Sequence, residues 1–464
     1  MSGLFGVVSK KDCVETLFLG TDYHSHLGTQ YGGLAVFGEG GFQRRIHDIS
    51  KTQFKSKFYG DYEKMRGNSG IGVISDSFEQ PLMFDSKFGV YAIATNGFIE
   101  NKKEITDELI LKGASFTEFS GGEVNTTEVV AKFVSHGSSL VDGIDKLFKR
   151  IQGSISILIL NHKGIYVARD RHGHTTLAVG EGDGAWAVAS ETCAFPNLGF
   201  EIRKFLKPGE VVLLTKDGME PLKAGGKANK ICAFLWIYTG FPASTYEGIN
   251  TEIARERCGR ALARRDNISA DYVSGVPDSG IGHAIGYAME SGLPYRRPLV
   301  KYTPGYGRSY TPPDQKTRDR IARMKLIPIK EVVEGSRIVL CEDSIVRGTQ
   351  LRNYTVTKLF NSGAKEVHIR PACPPLMFPC RYNLSTRTYH ELVARRAIHD
   401  IEGKDIENVS EYVDPDSKKY KQMVAWIQKN LRVTSLMYQR IDDMIEAIGL
   451  PKDKLCLYCW NGKC

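Results

Sequence analysis

The sequence has 464 residues, 42% hydrophobic and 25% charged, a composition that excludes wholesale disorder and allows two to three domains at about 150 residues each. Lys and Arg outnumber Asp and Glu by 62 to 53, a net charge of +9. That mild excess suits a protein handling phosphorylated metabolites and falls short of the basic stripe of a nucleic-acid binder. No apolar run approaches the ~18 residues needed to cross a bilayer, so no membrane partner is expected. The opening Met1-Ser2-Gly3-Leu4-Phe5-Gly6 lacks the basic and long apolar segments of a signal peptide. A cytoplasmic, reducing compartment is therefore expected, with the 10 cysteines as free thiols or metal ligands.

Residues 1 to about 225 read as short strands with helices unevenly placed among them. Strands are predicted at Gly3–Ser9, Gly32–Gly38, Gly89–Thr95, Ser154–Leu160, Gly164–Arg169, Trp186–Ser190 and Glu210–Thr215, each bounded by Gly or polar breaks. Apolar spacing predicts helices at Lys102–Leu111, Thr126–His136 and Leu140–Lys149. Such runs of strands imply a layered α+β domain with antiparallel sheets. Pro221–Ala228 reads as a linker between a domain at 1–228 and another at 229–464.

Beyond the linker the rhythm changes. Strands at Ile231–Tyr238, Tyr272–Val276, Ile338–Cys341 and Val367–Ala372 alternate with helices at Thr251–Arg264, Gly280–Ser291 and Gly348–Asn361. That is the pattern of an α/β domain with a parallel sheet. Tyr302–Arg320, rich in Gly, Pro, Arg and Tyr, is too long for an ordinary connection and reads as a lid or binding loop. Ser417–Ile448 reads as amphipathic helix, ahead of a tail holding Cys456, Cys459 and Cys464.

The most informative segment is Ile338–Thr349. An apolar strand ends in Glu342 and Asp343, and the loop Ser344-Ile345-Val346-Arg347-Gly348-Thr349 then opens a helix. Backbone N–H groups at such a start cradle anions, the Ser344 and Thr349 hydroxyls can add donors, and a carboxylate pair suits sugar hydroxyls or a divalent cation. This segment resembles the phosphoribosyl-pyrophosphate motif of type I phosphoribosyltransferases. Over nearly the whole chain the sequence is similar to the glutamine phosphoribosylpyrophosphate amidotransferase family. Gly275-Val276-Pro277-Asp278-Ser279 resembles its pyrophosphate loop; Gly307-Arg308-Ser309, Arg318 and Arg323-Met324-Lys325 resemble its lid.

The resemblance implies an N-terminal Ntn-hydrolase-like αββα sandwich followed by a type I phosphoribosyltransferase domain. It implies Mg²⁺ at Ser279, Glu342 and Asp343, and phosphate contacts from Lys301, Arg308, Arg323 and Lys325. Arg308 and Lys325 would act in the transfer step, and Asp278 and Ser279 would bind substrate with the 342–349 loop. Glu342 stands where the family usually has Asp. Cys232, Cys380, Cys456 and Cys459 match the four ligands of a structural [4Fe–4S] cluster in one branch of the family, with zinc the alternative at the same cysteines. A homotetramer is the family expectation.

In that family the first half hydrolyses glutamine with an N-terminal cysteine. Here the matching residue is Ser2. The segment that should carry the arginine for the glutamine carboxylate reads Ile71-Gly72-Val73-Ile74-Ser75-Asp76, and Thr126 replaces the acidic partner of its amine. Asn96-Gly97, resembling the oxyanion pair, survives. A neutral side chain does not replace a bidentate charged contact, so loss of glutaminase activity is expected. The expected reaction is transfer from phosphoribosyl pyrophosphate to free ammonia, or to an amine delivered by a partner. The rival expectation is a non-catalytic regulatory or assembly homologue that binds the same sugar or a nucleotide.

Overall fold

The computed structural model describes residues 2–227, 230–302, 324–382, 386 and 388–463. Two compact units divide the chain: Met1–Ile231 with Ser244–Glu247 and Arg381–Leu384, and the remaining residues.

Alternation along the strands of the first unit sorts apolar side chains into three cores. In β1 (Ser2–Ser9), Leu4 and Val8 join one core, and Phe5 and Val7 another. The next strands are β2 (Tyr31–Gly38), β3 (Gly41–Asp48), β4 (Ser69–Ser75), β5 (Leu82–Ser86) and β6 (Gly89–Ile99). They are followed by β7 (Gly153–Asn161), β8 (Gly164–Ala168), β9 (Ala178–Gly182), β10 (Ala185–Ala189), β11 (Glu201–Phe205), β12 (Val211–Thr215) and β13 (Gly218–Lys223). They form two antiparallel sheets, in order β11-β9-β10-β1-β4-β2-β3 and β13-β12-β8-β7-β6-β5. Leu4, Val73, Ala92, Leu158 and Val188 are buried between them. Helices α1 (Val14–Asp22) and α2 (Phe54–Tyr62) cover the first sheet; α3 (Lys102–Leu111), α4 (Thr126–Ser135) and α5 (Leu140–Arg150) cover the second. This is the expected αββα sandwich.

The second unit is built on a parallel sheet in the order β14 (Tyr272–Gly275), β17 (Arg337–Glu342), β18 (Glu366–Pro371), β19 (Ser435–Leu436), with β15 (Leu299–Lys301) and β16 (Leu326–Pro328) forming a separate antiparallel pair. Its larger helices are α6 (Thr251–Arg264), α7 (Ile281–Ser291), α8 (Val393–Glu402), α9 (Lys418–Leu431) and α10 (Ile441–Ile448).

Four segments depart from expectation. Pro221–Lys223 belongs to β13: Pro221 sits opposite Val212 on the outer strand of its sheet, a place where the missing N–H does no harm. Of Ile231–Tyr238 only Ile231–Cys232 is strand, and Leu235–Thr239 is a π-helical turn. Gly348–Asn361 is helical only from Thr349, and Leu351–Val356 winds as π-helix before Thr357–Asn361. Ser417–Ile448 is two helices, because Arg432 takes a left-handed conformation (φ 59°) and Ser435–Leu436 then joins the sheet beside β18.

Candidate functional site

In the second unit the loops after β14 and β17 lie side by side, at the carboxyl ends of adjacent parallel strands, where open α/β sheets hold ligands. Val276 N–H donates to Cys341 O at 2.9 Å. A Cβ on Gly280 would stand 2.4 Å from that same carbonyl, so only glycine permits the approach. Glu342 and Asp343 end β17. Burial first, then the Asp343 charge, push the Glu342 carboxyl well above the usual carboxylate range, while the Lys325 charge pulls it back. Ser344 Oγ donates to Asp343 Oδ1 at 2.6 Å. Lys301 pairs with the exposed carboxylate of Asp278, and Tyr302 N–H donates to Lys325 O at 2.8 Å across the β15–β16 pair.

The loop itself is held from behind. Ile345 is buried in the core, and Val346 O accepts from Val393 N at the start of α8 (2.8 Å). Arg347 pairs with Glu391, and its carbonyl accepts from Arg396. Gly348 O accepts from Arg352 N at 2.9 Å, and Thr349 begins the helical segment. Among the described residues, the N–H groups of Ser344 through Gly348 have no acceptor. They form an open row of donors beside two carboxylates. Ser279 lies half-buried in the neighbouring loop. Arg308 and Arg323 lie outside the described residues, as does most of the segment expected to act as a lid.

In the first unit the register of β1 on β4 sets Ser2 opposite Ser75. Ser2 N–H donates to Asn96 Oδ1 at 3.2 Å, and Ser2 Oγ to Ser75 Oγ at 3.4 Å. Both partners are neutral. Gly97 has φ 144°, and a Cβ there would meet Ser154 O at 2.0 Å, so the glycine of the Asn96-Gly97 pair is also what the β6–β7 pairing requires. Thr126 opens α4 behind the Asn125 cap. Ser75 was not singled out by the sequence; its contact with Ser2 spans 73 residues of chain and arises from strand register.

Beneath β1 lies a buried charged network. His26 Nε2 is 2.8 Å from Glu191 Oε2, and Ser244 Oγ donates to the same oxygen at 3.1 Å. Burial alone would raise the Glu191 carboxyl; the His26 charge and hydrogen bond, with His24, bring it down to about 2. His24 Nδ1 donates to Gly20 O (2.8 Å), while Glu191 N–H donates to His24 Nε2 (3.2 Å). That arrangement holds a neutral imidazole, and burial lowers its pKa to about 4.

The four tail-related cysteines come together within the second unit. A hydrogen bond with Cys380, then burial, then the charges of Cys380, Cys232 and Cys456 push the Cys459 thiol well above its ordinary value. Cys459 O accepts from Met377 N (2.8 Å) and Phe378 N (3.1 Å), and Trp460 stacks on Phe234 at 4.7 Å. No group of three or more His, Cys, Asp or Glu among the described residues is set for a single metal ion. Cys13, Cys193, Cys258, Cys341 and Cys373 are free and buried. Cys464 lies outside the described residues. No described helix is long and apolar enough to cross a membrane.

Residues 69–197 match the GATase_7 family, described as a glutamine amidotransferase domain. The amidophosphoribosyltransferase of Archaeoglobus fulgidus is 35% identical over 94% of this chain and 92% of its own length. That of Bacillus subtilis is 31% identical over 99% of this chain and 93% of its own. The solved structure of glutamine phosphoribosylpyrophosphate amidotransferase from B. subtilis, complexed with ADP and GMP, matches with a TM-score of 0.84 at 30% identity, over 99% of this chain and 96% of that one.

Proposed function

Because the chain belongs to the amidophosphoribosyltransferase family, we propose that it transfers the phosphoribosyl group of phosphoribosyl pyrophosphate to ammonia. The products are 5-phosphoribosylamine, a purine precursor, and pyrophosphate, and the chain does not draw that ammonia from glutamine itself. One observation carries the first part: the unpartnered N–H row of Ser344 through Gly348 beside Glu342 and Asp343, at the end of a parallel strand. Donors fixed in place before the substrate arrives need no reorganisation to hold phosphate oxygens. The carboxylates accept from ribose hydroxyls and set C1 toward the incoming nitrogen. Nitrogen attacks C1 as the C1–oxygen bond to pyrophosphate breaks. Lys301 and Lys325 supply positive charge toward the departing group, and the ammonium proton is released to solvent.

The residues present fit Mg²⁺. Two adjacent carboxylates, one strained toward protonation by burial and by its neighbour, favour a cation between them. Glu342, Asp343 and Ser279 would hold it, and bound there it would offset charge on the pyrophosphate. The thiols also fit a [4Fe–4S] cluster: Cys459 stands close enough to Cys380, Cys232 and Cys456 for their thiolate charges to repel unless a cationic group lies among them. Cys232, Cys380, Cys456 and Cys459 would hold it. It would fasten the tail to the unit's body, with aromatic cover from Phe234 and Trp460.

Loss of glutamine hydrolysis rests on the neutral hydrogen-bond partners of Ser2: Ser75 and Asn96 offer a zwitterionic amino acid no charged contact. A cytoplasmic homotetramer completes the reading. The test is pyrophosphate release by anaerobically purified protein given Mg²⁺, phosphoribosyl pyrophosphate and either ammonium or glutamine. Release with ammonium alone is expected. Release with glutamine overturns the second part, and no release with either nitrogen source favours a regulatory homologue. Brown protein holding about four irons per chain is expected for the cluster; colourless protein holding zinc overturns it.

A further inference from the structure

The outer stripe of α6 carries Arg257, Arg260 and Arg264, with Arg265 just beyond its end. With α10 they enclose a groove of about 540 Å³, within the range of small-molecule sites. None of these residues belongs to the carboxylate loop or the cysteine group. Guanidinium groups three and four positions apart on one helix repel unless something anionic lies among them.

The protein's own carboxylates meet that need only in part. Arg265 is closed by Asp443 of α10 (Nη2–Oδ1 2.8 Å). Arg260 and Arg264 share one carboxylate, Glu290 of α7, each at 3.5 Å. Arg257 and Glu446, both exposed on the groove, have no ion-pair partner among the described residues. Ala261 and Ala447 are buried and form a small-residue floor that leaves the volume open. Among the described residues no aromatic ring lines the groove to stack on a nucleobase.

We propose that this groove binds a phosphorylated sugar or polyol. Arg257, Arg260 and Arg264 take the phosphate oxygens, for which planar guanidinium donors are suited. Glu446, an acceptor with no partner of its own, takes sugar hydroxyls. The inference goes beyond the transfer reaction and stands whether or not that reaction is confirmed.

The test is calorimetric titration of the full-length protein with ribose 5-phosphate, alongside the double variant Arg257→Ala/Arg264→Ala. Because the transferase loop can also take a phosphate, the difference between the two titrations is what is read. The wild type should show one equivalent per chain that the variant binds at least tenfold more weakly, with pyrophosphate release unchanged. Glu446→Gln should weaken ribose 5-phosphate while leaving inorganic phosphate unaffected. Superimposable titrations of wild type and variant overturn the proposal, as does an absence of heat in both. A hexaglutamate peptide that binds where ribose 5-phosphate does not would replace the sugar by an acidic protein segment, and would overturn it too. Failure of the transfer reaction would appear as missing pyrophosphate release in both proteins, leaving the titration difference intact.

Discussion

The two units present sites of opposite electrical character. In the second, Glu342 and Asp343 adjoin an open row of backbone donors, with the Lys325 charge acting on Glu342 and Lys301 paired with Asp278 of the neighbouring loop. In the first, the side-chain hydrogen-bond partners of Ser2 among the described residues are the neutral Ser75 and Asn96, although strand register, turn glycine and the buried His–Glu network are all in place. A fold keeps what its packing needs, and Gly97 and Glu191 are held by packing and burial. Side chains that serve only a ligand are under no such constraint. The difference teaches that a surviving motif residue bears on function only where the fold does not itself demand it.

The largest expected effect tests the charged site. Asp343→Asn removes one carboxylate of the pair while keeping its shape and its contact with Ser344. Ammonium-dependent pyrophosphate release should fall by roughly 10²–10³, the usual cost of losing one preorganised electrostatic partner. Steady-state kinetics with circular dichroism as a fold control measures it. A loss under threefold would mean that the pair does not act on the substrate.

Next comes the network under Ser2. Between pH 6.5 and about 4 the unfolded chain binds a proton at His24 that the folded, buried imidazole does not. Stability should therefore fall as pH drops through that window, by on the order of 2–3 kcal/mol. Glu191, brought down to about 2 in the folded state, adds stability above about 4.5 that is lost as pH falls further. Urea unfolding at pH 7.5, 6 and 4.5 reads the slope, and His24→Gln should flatten its upper part. An equal slope in the variant would place the acid sensitivity elsewhere. A smaller effect, again in the second unit, follows from Gly280. Gly280→Ala would force the two loops apart at Cys341 O and should raise the KM for phosphoribosyl pyrophosphate about tenfold, near 1.4 kcal/mol.

Legibility in the sequence follows the range of the interactions. Lys102–Leu111 and Thr251–Arg264 can be read to the residue, because apolar spacing is local; the second also carries a local cap, Asn250 accepting from Ile253 N at 3.1 Å. Glu201–Phe205 could not be read as a strand, since three of its five residues are charged, no apolar face is buried, and its order comes from pairing with β9. Ser435–Leu436 is two residues long and is strand only because β18 lies beside it. The carboxylate loop was visible as one continuous segment. The partners of Ser2 come from β4 and β6, and the arginines of α6 make a groove only with residues near 443, so both needed the fold.

The smallest expected effect is the most discriminating for the neutral site. Ser2→Ala removes the hydroxyl from the position that the sequence resemblance assigns to the nucleophile, and in a working N-terminal-nucleophile hydrolase that change eliminates the reaction. Here ammonium-dependent turnover should stay within experimental error of the wild type, and glutamine should support none in either protein. Ser2→Cys should not install it, because a better nucleophile gains nothing when Ser75 and Asn96 offer no charge to the amino acid's carboxylate and amine. Glutamate formation from glutamine is the readout. Production by the wild type that disappears in Ser2→Ala would show that a serine without a charged clamp suffices. The contrast between the two units would then lie in rate and not in kind.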